Sequence, residues 1–411
     1  MKRTSNNFFW VSVFVVSFVC VCMVTIVPWY GAKAGISMQE QTFFTDKYGL
    51  IENKKSEIER MLDNAYNENL FNGQVLYAEN GNILLKKTYG FADLYRKTPM
   101  DSSWRFQLSS TSKPLTAAAI MKLYDEGEID IDKSVKEYLP DFPFPGNITV
   151  KHLLQHRSGL PNYIYIADKN WNKKTPFTNR NLSPFLKRMG AKVKFPAGLK
   201  FEYCNTNYAY LALLIEKCSG FTFEYYLKTK IFEPLGMTRT YVYNPTKKRL
   251  NETVKGYSFS QRRGYYERYV EFLDGVVGDK GIYSTVDDLY KFDQALFDSN
   301  FLSPKSISLM FTPAEPLSED HDNDYGLGFR IRKDIASGDV SVFHHGWWNG
   351  FRSYYVHSPN NERVLIWLNN RSDVTLASLI KAIFTFTDSL DHPEKYRIVE
   401  SDDEYYGGSL E

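Results

Sequence analysis

Strand-patterned segments occupy both ends of this 411-residue chain, and helix-patterned segments fill the stretch between them. Towards the N-terminus, Gly73–Ala78 and Ile83–Thr88 flank Asn80-Gly81, a dipeptide suited to a tight hairpin turn. Towards the C-terminus, Gly326–Arg332, Val340–His345, Phe351–His357 and Arg363–Leu368 read as strands, and a helix fits Leu376–Thr387. The middle, about 128–275, is rich in loops, with short helices at Val150–His156, Leu182–Met189 and Asn207–Lys217; a further helix follows at Asp287–Leu296. Strands drawn from both ends imply one antiparallel sheet closed by the two termini and flanked by helices. A mostly helical insertion then accounts for the middle.

The N-terminal region has a different character. Lys2 and Arg3 precede an uncharged apolar run from Phe8 to Tyr30, and a bilayer span takes about 20 such residues. The positive flank orients such a span with residues 1–7 in the cytoplasm and the remainder outside. The expected arrangement is a single-pass membrane protein with a membrane segment at 8–30, a polar tether at 31–55 and a folded domain at 56–390. An acidic tail, 391–411, closes the chain and is read as disordered. The alternative is a secreted protein cleaved near Ala34, since Ala32-Lys33-Ala34 has the small-x-small pattern of a signal-peptide site. Within the exported part, a helix pattern covers about Lys54–Tyr66, with Ile58, Met61 and Leu62 on one side. Cys204 and Cys218 flank a helical segment whose ends lie about 21 Å apart at 1.5 Å per residue, so no disulfide is expected between them. Lysine plus arginine (50) nearly matches aspartate plus glutamate (48), which leaves no global field to attract nucleic acid.

The first chemical signal is Ser110-Thr111-Ser112-Lys113, at the start of a helix expected to run to about Glu126 and end at Gly127. Groups three apart on a helix share a face, so the Ser110 hydroxyl and the Lys113 amine can meet. A serine hydroxyl needs a neighbouring base, and a lysine serves only if burial or nearby cations lower its proton affinity. The helix N-terminus adds free N–H groups and partial positive charge beside Ser110. Serine–lysine pairs at this spacing are common by chance, so the context decides. Tyr203-Cys204-Asn205 stands directly before the apolar helix Asn207–Lys217, and His344-His345-Gly346 ends a strand-like run.

The ordered set S-x-x-K, Y-x-N and H-x-G resembles the signature of the serine β-lactamases and penicillin-binding proteins, with H-x-G in place of K-T-G. Phrases similar to the class C branch surround it: Ile148–Leu160, Pro234–Met237, Gly281–Thr285 and Tyr325–Phe329. The similarity runs from about residue 68 to 370. It implies an α/β sandwich with a helical domain, and a small-molecule or peptide substrate with an ester or amide carbonyl. No cofactor and no metal are implied. By the same resemblance Ser110 becomes acylated, Lys113 and Tyr203 move its proton, and Asn205 positions Lys113 and substrate. His344 would lend Tyr203 positive charge or a donor. The backbone N–H groups of Ser110 and Trp347 would form the oxyanion hole, and His345 and Gly346 would contact substrate. His345 replaces the usual threonine or serine, and the bulky Trp347-Trp348 follows. Both departures favour a peptidase, esterase or amidase over a dedicated β-lactamase or D-alanyl-D-alanine carboxypeptidase. The alternative is a catalytically silent scaffold or sensor. His152 and His156 lie four apart, a spacing open to zinc, but no third ligand is evident. Tyr163, Tyr165, Trp171 and Phe177 are read as packing within the insertion, with an apolar acyl pocket as the alternative.

Overall fold

The computed structural model describes residues 38–247, 250–297, 300–314, 324–333, 340–358, 362–373 and 377–392. The apolar run 8–30, the first part of the expected tether and the tail beyond residue 392 lie outside them. Among the described residues no helix is long and apolar enough to cross a membrane. The chain divides into two compact units, Met1–Glu59 and Arg60–Glu411. The described part of the first is residues 38–59, all within helix α1, Met38–Asn67. Residues 38–55, expected as tether, are therefore helical. Lys, Glu and Gln recur there and favour helix without forming an apolar stripe, which is why periodicity alone located only the last turns.

In the second unit, a six-stranded antiparallel sheet joins the two ends of the chain. Its strands are β1 (Gly73–Glu79), β2 (Asn82–Tyr89), β3 (Arg330–Lys333), β4 (Val340–Trp348), β5 (Phe351–Ser358) and β6 (Arg363–Asn369), in the order β3-β4-β5-β6-β1-β2. Central β1 pairs with β2 on one side and with β6 on the other, with Val75 opposite Trp367. Two Asn-Gly turns shape the sheet. Asn80-Gly81 links β1 to β2 and Asn349-Gly350 links β4 to β5, all four residues having positive φ. That conformation matches the twist of a two-residue hairpin and suits asparagine followed by glycine. The expected strand at Gly326–Arg332 is shorter than read, beginning only at Arg330. Gly328 turns at φ +90° because the chain there presses on a buried helix: a Cβ would lie 2.5 Å from that of Ala117.

That helix, α2 (Ser112–Asp125), is buried on all sides, with Leu115 and Ala117–Met121 fully covered. An all-round apolar surface marks a central helix. It packs on α3 (Asn205–Ser219), whose Tyr208–Ala212 are equally buried. Gly127, at φ +76°, ends α2 as expected. Helix α4 (Val286–Leu296) lies on the sheet, where its Asp293 accepts from Tyr355 on β5 at 2.6 Å. The last helix, Ala377–Asp391, follows β6. The insertion is less purely helical than expected: it holds a hairpin, Gly256–Ser260 with Gly264–Arg268, and a short strand, Tyr241–Val242, that pairs with Ile282–Ser284 just beyond it.

Candidate active site

Ser110 sits in a 3-10 turn, Ser109–Thr111, that leads directly into α2. Ser109 adopts φ +52°, a left-handed conformation that an L-residue holds only when its surroundings insist. Two strands supply that insistence. Ser353 of β5 donates to the Leu108 carbonyl at 2.6 Å and meets the Thr111 hydroxyl at 2.8 Å. Gly346 of β4 lies so close that a Cβ would fall 2.3 Å from the Leu108 carbonyl oxygen and 2.9 Å from the Ser109 Cβ. The third motif thus needs glycine for close approach to the serine turn.

Lys113 occupies the first turn of α2 and is fully buried. Its Nζ lies 3.1 Å from Ser110 Oγ, 2.9 Å from Asn205 Oδ1 and 2.8 Å from the Asp279 carbonyl oxygen. Burial lowers its pKa from 10.5 to about 7; Asp279 opposes that change, and Arg330 adds to it. A neutral amine has two N–H donors and one lone pair. It can donate to Asn205 and Asp279 while the lone pair accepts the Ser110 proton.

Tyr203 and Asn205 reach this point from the N-terminal end of α3. The Tyr203 ring lies 4.9 Å from Lys113 Nζ, and its phenol shares a hydrogen bond with Ser110. Burial raises the phenol above its usual range, so it stays protonated and able to relay a proton. His156 fixes the geometry from behind. Its Nδ1 accepts from the Cys204 amide at 3.1 Å and from Asn207 at 3.1 Å, and its ring stands 4.3 Å from that of Tyr203. Ser158 donates to Asn207 at 2.6 Å, so the phrase His156-Arg157-Ser158-Gly159 holds the start of α3. His152 instead caps its own helix, accepting from the Thr149 amide. Among the described residues no group of three or more His, Cys, Asp or Glu is placed to hold a metal. Cys204 and Cys218 are free thiols, and burial raises the pKa of Cys204.

The third motif departs from expectation in two places. His344 is buried, and its Nδ1–H faces the His345 carbonyl at 2.9 Å, leaving Nε2 to accept from Tyr325 at 3.1 Å. Burial, with Lys113, His345 and Arg330 nearby, holds its pKa well below 6.5. His344 is therefore neutral with both nitrogens engaged, and lends Tyr203 neither charge nor a donor. The His345 side chain is not brought into the cleft. Alternation along β4 turns it to the outward face, where its ring lies 6.0 Å from that of Tyr354. Trp347 does line the cleft beside Ser110.

The cleft measures about 360 Å³ and includes Asn205, Asp279, Lys280, Tyr165 and Trp348. Lys280 Nζ lies 2.5 Å from the Tyr163 hydroxyl, 3.4 Å from the Asp279 carboxylate and 4.8 Å from the Trp348 ring centroid. Tyr163 in turn donates to Asp279 at 3.0 Å. Trp171 and Phe177 stack edge-on in the core instead, 4.7 Å apart, so of the four insertion aromatics Tyr165 alone is among the lining residues.

A sequence model of the beta-lactamase family matches residues 61–384. The chain belongs to the beta-lactamase family. It is a serine hydrolase of that family's β-lactamase and penicillin-binding-protein group. It is 33% identical to penicillin-binding protein 4* of Bacillus subtilis (strain 168) over 334 residues, covering 79% of this chain and 73% of that protein. It is 26% identical to a D-aminopeptidase of Gluconobacter oxydans (strain 621H) over 310 residues, spanning 74% of this chain but 57% of the relative. Its fold matches the crystal structure of a D-amino acid amidase from Ochrobactrum anthropi SV3 at TM-score 0.68 and 23% identity, covering 84% of this chain and 99% of the other.

Within this beta-lactamase-family framework, sequence reasoning did not single out Asp279 and Lys280; it read Tyr163 as packing within the insertion and weighed His156 for zinc, not as the prop behind Tyr203. The signal for Asp279 and Lys280 was Gly278-Asp279-Lys280-Gly281, whose glycines at φ +98° and +91° mark a contorted loop. Nothing in the sequence says that this loop turns its Asp279 carbonyl onto Lys113.

Proposed function

We propose that the protein hydrolyses an ester or amide through an acyl-enzyme on Ser110. The observation that carries this reading is the buried Lys113 amine, poised near pH 7 and 3.1 Å from the Ser110 hydroxyl. Ser110 Oγ attacks the substrate carbonyl carbon as its proton passes to Lys113. The resulting oxyanion meets the Ser110 and Trp347 backbone N–H groups, an arrangement typically worth about 10²–10³ in rate per donor. The proton then moves through the Tyr203 hydroxyl to the leaving nitrogen or oxygen as its bond to the carbonyl carbon breaks. Water enters by the reverse route, freeing the acid and restoring the Ser110 hydroxyl.

The substrate carries an apolar or aromatic group beside the scissile carbonyl. Support comes from the aromatic side chains of Tyr165 and Trp348, which are among the residues lining the cleft. Amides are favoured because the similar proteins include a D-aminopeptidase and a D-amino acid amidase. Residues 8–30 would tether the enzyme to a membrane, with the hydrolase on the extracytoplasmic side, on the strength of their uncharged length and the Lys2-Arg3 flank. Cell fractionation with protease shaving tests that placement; a soluble cytoplasmic protein would refute it.

Turnover of D-phenylalanine amide, p-nitrophenyl butyrate and a D-alanyl-D-alanine peptide tests the chemistry. Hydrolysis of the amide or the ester, abolished in Ser110→Ala, is the expected result. Activity retained in Ser110→Ala, or none on any substrate by a folded protein, would overturn it.

A further inference from the structure

A neutral His344 leaves the third motif without the positive charge that a lysine would bring to this position. We propose that Arg330 supplies the fixed cation of this site, acting on Tyr203 and Lys113 from strand β3. The Arg330 guanidinium lies over the Tyr203 ring, 5.4 Å from its centroid. A guanidinium does not lose its proton in a protein, so the charge is permanent.

The backbone around Arg330 is built to hold it there. Arg330 pairs with Phe343 across β3 and β4, and its charge is felt at the neighbouring His344. It bridges back to Tyr325, the residue whose hydroxyl donates to His344 Nε2. Between the two, Gly326 would meet the Met310 carbonyl oxygen at 2.2 Å with any Cβ, and Gly328 would meet Ala117 at 2.5 Å and the Lys113 carbonyl oxygen at 3.3 Å. The phrase Tyr325-Gly326-Leu327-Gly328-Phe329 is thus moulded against the helix that carries Lys113, and delivers Arg330 at its end.

The other titratable groups facing Lys113 and Tyr203 are Asp279, Cys204, His156, His344, Lys280 and the phenols of Tyr208 and Tyr325, which burial holds protonated. Burial keeps the Cys204 thiol protonated and both histidines neutral. Lys280 is held by Asp279 and Tyr163. Among the described residues, Arg330 is the guanidinium that lies against this pair. Its field disfavours a proton on Lys113 and favours negative charge on Tyr203. Arg330 is a positioning residue in this sense: it works through the base and the relay without touching substrate.

The inference rests on Ser110 being the nucleophile, so the experiment separates the two. The rate of labelling by a fluorophosphonate is measured from pH 5.5 to 10 for the wild type, Ser110→Ala, Arg330→Gln and Arg330→Lys, with circular dichroism confirming that each is folded. Equal labelling of Ser110→Ala would sink the acyl-enzyme function itself. With that control silent, Arg330→Gln should move the acid limb of the profile upward by about half a pH unit or more. Labelling at pH 7 then falls about twofold or more and recovers towards the wild type at high pH. Arg330→Lys should restore the wild-type midpoint. An unmoved midpoint in Arg330→Gln, even with a uniformly lower rate, would overturn the assignment. So would an Arg330→Lys profile that matches Arg330→Gln.

Discussion

Replacing Lys113 with methionine keeps most of the side chain's length and removes its charge, so it measures what it costs the site to hold a base. In water the amine titrates near 10.5, and in this site near 7. At about 1.4 kcal/mol per pH unit, holding the ammonium form in the folded protein costs about 5 kcal/mol. The cost is fully present at and below pH 7 and gone above pH 10.5. Between those values the unfolded chain binds more protons than the native one, so wild-type stability rises with pH. Lys113→Met has no such dependence. It also leaves Asn205 Oδ1 and the Asp279 carbonyl without their donor, a penalty of about 1–3 kcal/mol each that does not vary with pH. Near pH 7 the two effects roughly offset, and the variants should unfold at similar urea concentrations. By pH 9.5 the comparison should have moved about 3 kcal/mol in favour of the wild type. Turnover by Lys113→Met should be absent throughout. A stability difference that stays constant from pH 7 to 9.5 would show that Lys113 is an ordinary charged lysine, and would refute its role as a base near neutrality.

Gly346→Ala places a Cβ 2.3 Å from the Leu108 carbonyl oxygen; it should cost about 1–3 kcal/mol in thermal unfolding and, by shifting the serine turn, about 100-fold in kcat/KM. Steady-state kinetics showing less than a threefold loss would contradict that packing argument. Tyr203→Phe should lower kcat by about 10²–10⁴ with little change in KM, because it removes a proton relay and leaves the ring in place. Cys204, buried and with its thiol pKa raised, should resist iodoacetamide at pH 8 in the folded protein and react once urea unfolds it, as read by peptide mass.

The sheet was legible because its cues are local. Asn80-Gly81 demands a hairpin, and the runs around it carry strand composition, so both ends of the chain could be assigned to strands without knowing how they pair. The short strand at Arg330 was misjudged for the opposite reason: the turn at Gly328 answers to Ala117, which is far away in sequence. The same division runs through the site. Ser110, Lys113, Tyr203 and Asn205 are marked by motif spacing, and the fold brings all four within one hydrogen-bonded group. His344 shares such a motif, yet its neutral state follows from burial and from Tyr325, neither of which spacing reveals. Arg330 and Asp279 act through a guanidinium over a ring and a backbone carbonyl, and these have no residue-type signature. The helix from Met38 escaped notice because its residues favour helix without marking a buried face.

The most direct test of the nucleophile is intact-mass spectrometry of the folded protein after exposure to a fluorophosphonate. A single adduct per chain that maps to the peptide bearing Ser110, and is missing from Ser110→Ala, is the expected result. A folded protein that gains no mass, or gains the same mass when Ser110 is alanine, would contradict the proposal that Lys113 activates Ser110 for attack.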